Sequence, residues 1–134
     1  MSTINRWLLP EGVNELLPEQ AYRLEQLRRR LIDTYQSWGY ELIFPPFIEY
    51  LDSLLSGAGA DLDLQTFKLT DQLTGRLMGI RADITPQITR IDAHQGKCEA
   101  INRFCYLGTV LRTRPDGFSH SRTPPMARTA FCQR

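Results

Sequence analysis

Arg81, Asp83 and Thr85 stand at alternate positions just ahead of a proline, in the run Arg81-Ala-Asp-Ile-Thr-Pro-Gln-Ile-Thr-Arg90. In an extended segment alternate residues point to one face, so a cation, a carboxylate and a hydroxyl project together. An acid beside a hydroxyl can receive an ammonium group, and Arg81 can hold Asp83 in place or neutralise it. Pro86 suits the first turn of a helix, whose free backbone N–H groups favour an anion in the same space. A plainer role is open to the same residues: Asp83 or Thr85 can simply cap the helix that Pro86 opens. On spacing alone the cap is the commoner role for such residues.

A second candidate closes the run Arg103-Phe-Cys-Tyr-Leu-Gly-Thr-Val-Leu-Arg-Thr-Arg-Pro115, an apolar strand that ends in Arg112 and Arg114. A guanidinium donates two parallel hydrogen bonds to a carboxylate or phosphate, and a pair at a strand end can face a cleft mouth. Alternating Arg and Thr would serve a solvated loop equally well. No pair of residues is plainly set up to make or break a covalent bond, so binding is expected here and catalysis is not. His94 and His120 have no second His or Cys at ligand spacing, which argues against a metal site. No cofactor is expected either. Asp61 and Asp63 follow a glycine-rich break and read as a solvated acidic loop, and Arg28, Arg29 and Arg30 as the solvated side of a helix. Cys105, inside the apolar strand, reads as a buried, inert thiol.

The elements that must position these groups follow from periodicity. A helix opens at Pro18, carries Leu24, Leu27, Leu31, Tyr35 and Trp38 as one apolar stripe, and stops at Gly39 as a left-handed cap. A short strand over 40–44 runs into Pro45 and Pro46, which remove two backbone donors and place that end at an edge or interface. A short helix over 49–55 and a flexible break over 56–60 come next. Strands over 66–70 and 76–81 alternate about a turn at 71–75, as an antiparallel hairpin does. A second helix runs from Pro86 to about His94, a strand from 102 to 111, and a polar loop from 113 to 125.

With 134 residues and 42% hydrophobic content, residues 1–134 are expected to form a single domain with a real core. Sixteen Lys and Arg against fifteen Asp and Glu leave a net charge of +1, which argues against a nucleic-acid partner. Three cysteines without a CxxC pair fit a reducing compartment. The first nine residues do not read as a secretory signal, and no apolar run reaches membrane-spanning length. A cytoplasmic protein with no membrane contact is the expectation.

The segment from Leu8-Leu-Pro10 to Gly39-Tyr-Glu-Leu-Ile-Phe-Pro-Pro-Phe-Ile-Glu49 resembles the opening and motif 1 of the class II aminoacyl-tRNA synthetase fold, histidyl type. Arg81-Ala-Asp-Ile-Thr-Pro-Gln87 and Tyr106-Leu-Gly-Thr-Val-Leu-Arg112 resemble its amino-acid-binding and motif 2 regions. The almost continuous wording from Phe67 to His94 is more specific still. It resembles the ATP phosphoribosyltransferase regulatory subunits, a paralogous family that has lost aminoacylation, and the likeness covers about residues 6–124.

The resemblance implies an α+β fold, an antiparallel sheet with flanking helices that forms part of the class II synthetase-like catalytic core. It implies a non-catalytic subunit required for ATP phosphoribosyltransferase activity in the first step of histidine biosynthesis, sensing histidine for feedback. Asp83 and Thr85 would contact the amino group of histidine, Arg112 its carboxylate or a nearby anion, and Arg122 would lie at the rim. The implied partners are the catalytic subunit, in a hetero-oligomer, and a second copy of the chain through the motif 1 helix and the strand ending at Pro45. Two departures separate the chain from the synthetases. It has Asp83 and Ile84 where they typically carry glutamate and glycine, and Arg112-Thr-Arg-Pro115 where they carry Arg-x-Glu-Arg-Pro, whose glutamate helps to position ATP. The alternatives are a fragment of a catalytic histidyl-tRNA synthetase, and a nucleic-acid-binding module using Arg28, Arg29 and Arg30. After about residue 124 the family pattern is lost: Pro125-Met-Ala-Arg-Thr-Ala-Phe-Cys-Gln-Arg134 stands where a ligand-facing strand with glutamine and glutamate is expected. The chain therefore reads as an N-terminal piece, with its reading frame disrupted near Pro124, the remainder of the fold missing and strand edges unpaired.

Overall fold

Pro18 opens the first helix, α1 (Pro18–Ser37), at the position where its missing N–H costs no intrahelical bond. A computed structural model describes residues 7–95, 101–115, 117 and 120–132 of the chain. The helix ends as its sequence predicts. Gly39 takes φ +79°, its N–H reaches Gln36 O at 2.9 Å and the Tyr40 N–H reaches Tyr35 O at 3.1 Å, the paired bonds of a Schellman cap. The Tyr35 and Tyr40 rings, 6.5 Å apart, add the apolar contact that accompanies such caps.

The predicted stripe on α1 is only half used. Leu24, Leu31 and Tyr35 are half-buried, Leu27 and Trp38 are exposed, and no residue of the helix is fully buried. The reason is geometric, because α1 leans along one line against β1 (Glu41–Leu42) and β5 (Asn102–Thr109). A groove stays open between Leu24, Leu27 and Leu31 on one side and Leu107 and Gly108 on the other.

The strands form two three-stranded sheets. In the first, β1 pairs parallel with β5, and β6 (Pro125–Cys132) pairs antiparallel along β5, from Asn102 opposite Cys132 to Thr109 opposite Pro125. In the second, β4 (Leu77–Ile80) lies between β2 (Ile48–Tyr50) and β3 (Phe67–Thr70), antiparallel to both. With α2 (Leu51–Leu54), α3 (Ala60–Gln65) and α4 (Thr85–Gln95), this is the expected α+β class with mainly antiparallel pairing. The parallel β1–β5 pair was not expected. It needs a long crossover, and everything from 43 to 101 supplies it.

Three local expectations change. Residues 49–55 are not one helix: Glu49 and Tyr50 belong to β2 because their partners, Gly79 and Met78, lie on a distant strand. Asp61 and Asp63 do not sit in a loop but in the first turn of α3, where the helix dipole favours acids, and Asp63 pairs with Lys68 at 2.8 Å. Beyond Pro124, where the family pattern is lost, the chain still forms a strand: β6 covers one side of β5, and among the described residues the outer edges of both sheets have no strand partner. The hairpin arises as predicted, with Gly75 at φ +71° and Asp71 accepting from the Leu73 N–H at 3.0 Å and the Thr74 hydroxyl at 2.6 Å.

The core lies where α4 meets β5. Ile84 and Ile88 pack with Phe104, Tyr106 and Val110, with Ile43 at the margin. At the far end of α4 the buried Asp92 carboxylate accepts from Asn102 Nδ2 at 2.7 Å, tying the helix to the start of β5. A smaller cluster under β4 leaves no room at Gly79, where a Cβ would stand 2.8 Å from Leu54 Cδ2 and 2.9 Å from Thr66 Cγ2.

Gly79→Val is therefore expected to destabilise the fold by about 1–3 kcal/mol through overpacking, read as a lower urea midpoint. Asp71 gives a pH-dependent outcome. The Thr74 hydroxyl, and after it the Leu73 N–H, hold its carboxyl below the ordinary value of 3.8. A depressed folded pKa gives stability that is present above the ordinary value and lost as the pH falls through the folded one. The amide resonances of Leu73 and Thr74 should shift in an acid titration below that ordinary value, and Asp71→Ala should abolish the shift.

Candidate functional site

The junction between β4 and α4 carries the first candidate set. Arg81 is 8% exposed, and its guanidinium is bonded to carbonyls: Nε donates to Thr109 O at 3.0 Å and Nη1 to Pro45 O at 2.9 Å. Its Cζ lies 5.3 Å from the Phe47 ring centroid. Nη2 occupies the space over Gly108, 2.5 Å from where a Cβ would stand, so a side chain there would have to displace the guanidinium. Burial lowers the Arg81 pKa, but a guanidinium stays charged in proteins. The expected partnership with Asp83 is absent, for no ion pair joins the two. Arg81 instead draws together the Pro45 turn, β5 and the start of the α4 junction.

Backbone bonds extend the same joint. The Arg81 N–H donates to Phe47 O at 3.1 Å, and the Leu111 N–H donates to Arg81 O at 3.0 Å. Arg112 follows, its Nε donating to Ala82 O at 3.3 Å. Asp83, Thr85 and Arg112 are thus brought to one junction, although Ala82 and Ile84 between them face the interior. Asp83 does cap the helix, with Oδ1 accepting from the Thr85 N–H at 2.9 Å. That role uses one carboxylate oxygen and leaves Oδ2 without a hydrogen-bond partner among the described residues. Capping thus occupies only one of the two carboxylate oxygens. The Thr85 hydroxyl lies 3.1 Å from the hydroxyl of Tyr106, which is 1% exposed.

Arg114 lines a separate hollow, whereas Arg122 adjoins the junction through Arg112, whose N–H donates to Arg122 O at 2.8 Å. Arg114 borders an open hollow with Leu64, Gln65, Thr113 and Pro115, and Thr113 is anchored to α3 through Leu64 O at 2.8 Å. Arg122 clamps the N-terminal segment: Nε donates to Arg112 O at 3.1 Å, Nη1 to Glu11 O at 3.2 Å, and its N–H to Gly12 O at 2.7 Å. Gly12, at φ +75°, is pressed against the Arg122 side chain and the His120 carbonyl. A tie between residues 11 and 122 is a structural duty that spacing could not suggest.

Sequence reasoning also missed Tyr106, Gln87, Glu49 and Arg90. Gln87, 1% exposed, donates from Nε2 to Pro46 O at 2.6 Å and to Glu49 Oε2 at 3.2 Å. Glu49 in turn pairs with Arg90. The spacing of Gln87 and Arg90, one helical turn apart, signals a shared face, but nothing local signals that Glu49 lies opposite. Cys105 is fully buried, as expected, and burial pushes its thiol pKa up. Arg23, Arg28 and Arg29 pair with acids on α1 itself, as a solvated helix face does. Among the described residues no group of three His, Cys, Asp or Glu could hold a metal ion, and no helix is long and apolar enough to cross a membrane.

The α+β arrangement, with a buried arginine joining a proline turn to a strand and helix bearing polar groups, is that of a class II synthetase-like core. The chain belongs to the histidyl-tRNA synthetase family, whose model matches residues 12–126. It is 69% identical to an ATP phosphoribosyltransferase regulatory subunit of Alkalilimnicola ehrlichii, over 90% of this chain and 30% of that protein. It is 66% identical to another of the same name from Thioalkalivibrio sulfidiphilus, over 92% of this chain and 31% of that one. A crystal structure described as an ATP phosphoribosyltransferase regulatory subunit/histidyl-tRNA synthetase from Bacillus halodurans superposes with a TM-score of 0.72 at 28% identity, covering 98% of this chain and 33% of that one. The chain thus spans about a third of the length of the relatives it matches.

Replacing Arg81 by Met removes a buried charge together with two charge-assisted bonds, and leaves the Pro45 and Thr109 carbonyls short of a donor. A loss of about 3 kcal/mol is expected in denaturant melts. Arg81→Lys should recover little of it, because one ammonium lacks the fork that spans both carbonyls. Cys105 should resist alkylation at pH 8 in folded protein and react once urea unfolds it, as peptide mass mapping would show.

Proposed function

We propose that the chain forms the histidine-sensing part of a regulatory subunit of ATP phosphoribosyltransferase, and that it performs no chemistry itself. The observation that carries this reading is the 69% identity, over nine-tenths of the chain, to a subunit of that name. The site is compatible with it. Asp83 keeps one carboxylate oxygen available for an amino group, Thr85 stands beside it, and Arg112 is held at the same junction. The chain also resembles the regulatory paralogue in lacking the glutamate of the synthetase motif Arg-x-Glu-Arg-Pro, which argues against histidine activation with ATP.

Regulation then needs only unequal affinities. Histidine bound at the junction favours one assembly state, and the catalytic subunit, which transfers the phosphoribosyl group to ATP, responds to that state. A coupling of about 1–3 kcal/mol is typical of such devices. The exposed Phe44 and Phe47 beside the proline turn, and the exposed Trp38 at the end of α1, support a homodimer contact through the motif 1 region. The cysteine pattern supports a cytoplasmic setting. Arg122 acts from the rim by fixing Arg112 through its carbonyl, not by touching histidine.

Reconstitution with the catalytic subunit tests the reading. Histidine should bind by calorimetry, and binding should alter phosphoribosyl transfer. Asp83→Ala and Arg112→Gln should each weaken binding about 10- to 100-fold, the worth of a hydrogen bond to a charged group. Histidine-dependent exchange of pyrophosphate into ATP would overturn the proposal in favour of a catalytic synthetase.

A further inference from the structure

A threonine hydroxyl has one proton to give and lone pairs to receive, so its neighbours decide which it offers a ligand. Thr85 has Tyr106 as its hydroxyl neighbour, 3.1 Å away, and either oxygen can donate. An ammonium group carries donors only. Thr85 can therefore join one only as an acceptor, and its own proton must go elsewhere. The Tyr106 oxygen is the acceptor within reach.

We propose that Tyr106 is a positioning residue that takes the Thr85 hydroxyl proton, so that Thr85 and Asp83 Oδ2 both present acceptors and the site selects a protonated primary amine. The proposal rests on the histidine-sensing reading and deepens it by naming what makes the amine the recognised group. Three features of the geometry support it. The Tyr106 ring is locked in the core with Ile84, Ile88, Phe104 and Val110, so packing sets its hydroxyl before any ligand arrives. Asp83 is oriented by the Thr85 N–H, which leaves its other oxygen for the ligand. Both hydrogen bonds converge on Thr85, at the first turn of α4, where a mobile hydroxyl would otherwise be free to donate to an anion. The polarity of one part-buried hydrogen bond thereby separates amine recognition from anion recognition.

Calorimetry with histidine and with imidazolepropionate, which lacks the amino group, tests this in the chain and in Tyr106→Phe. The variant should bind histidine about five- to tenfold more weakly, the loss of one neutral hydrogen bond, while imidazolepropionate binding stays unchanged. The ratio of the two affinities is the decisive readout, because a merely structural role for Tyr106 would weaken both ligands together. Equal weakening of both, or an unchanged histidine affinity, overturns the assignment and leaves the sensor reading intact. If the unaltered chain binds no histidine, the sensor reading falls and this assignment falls with it. Should Tyr106→Phe not fold, Thr85→Val is judged by the same ratio, and adding Tyr106→Phe to a folded Thr85→Val should cost no further histidine affinity.

Discussion

One buried cation holds this part of the fold together. Arg81 places its guanidinium between the carbonyls of Pro45 and Thr109, over Gly108 and against Phe47, with no carboxylate among the described residues paired to it. A charge in such surroundings is tolerated only if its donors are satisfied, and the carbonyls it needs belong to segments distant in the chain. Holding them satisfied forces the proline turn, the end of β5 and the entry to α4 into one place. The two bonds from Arg81 N–H to Phe47 O and from Leu111 N–H to Arg81 O run through the same joint.

That joint explains why the polar groups of the site converge. Asp83 and Thr85 project from the strand–helix turn immediately after Arg81, and Arg112 comes from the strand end that pairs with it. Gln87, in the first turn of α4, captures the other proline carbonyl, at Pro46, so both carbonyls of the double proline are held. Prolines cannot donate, but their carbonyls are strong acceptors, and here the lack of donors is turned into a pair of anchors. Such anchors tie the junction to the proline turn by hydrogen bonds from two different elements.

Much of the architecture was legible because it depends on local chemistry. Pro18 and Gly39 bound α1, and Asp71 and Gly75 shape the hairpin turn, each through bonds within a few residues. Other elements were not legible for a common reason. Residues 48–50 form a strand only because β4 offers partners thirty residues on, and the weak local helical pattern over 49–55 yields to that pairing. The open side of α1 is likewise invisible in its own periodicity, because the number of faces a helix buries depends on what packs against it.

The sequence by itself determined the elements whose bonds are short-range, the α+β class, and the residue types that could meet an amino acid. It also determined the family, since the resemblance rests on long runs of residues in order. Only the tertiary structure decided what each candidate does. It took Arg81 away from Asp83 and gave it to two carbonyls, gave Arg122 to the N-terminal segment, and brought Tyr106 to Thr85 across twenty-one residues. The physical reason is that a polar side chain bonds to whatever burial places beside it, and burial is a property of the whole packed chain.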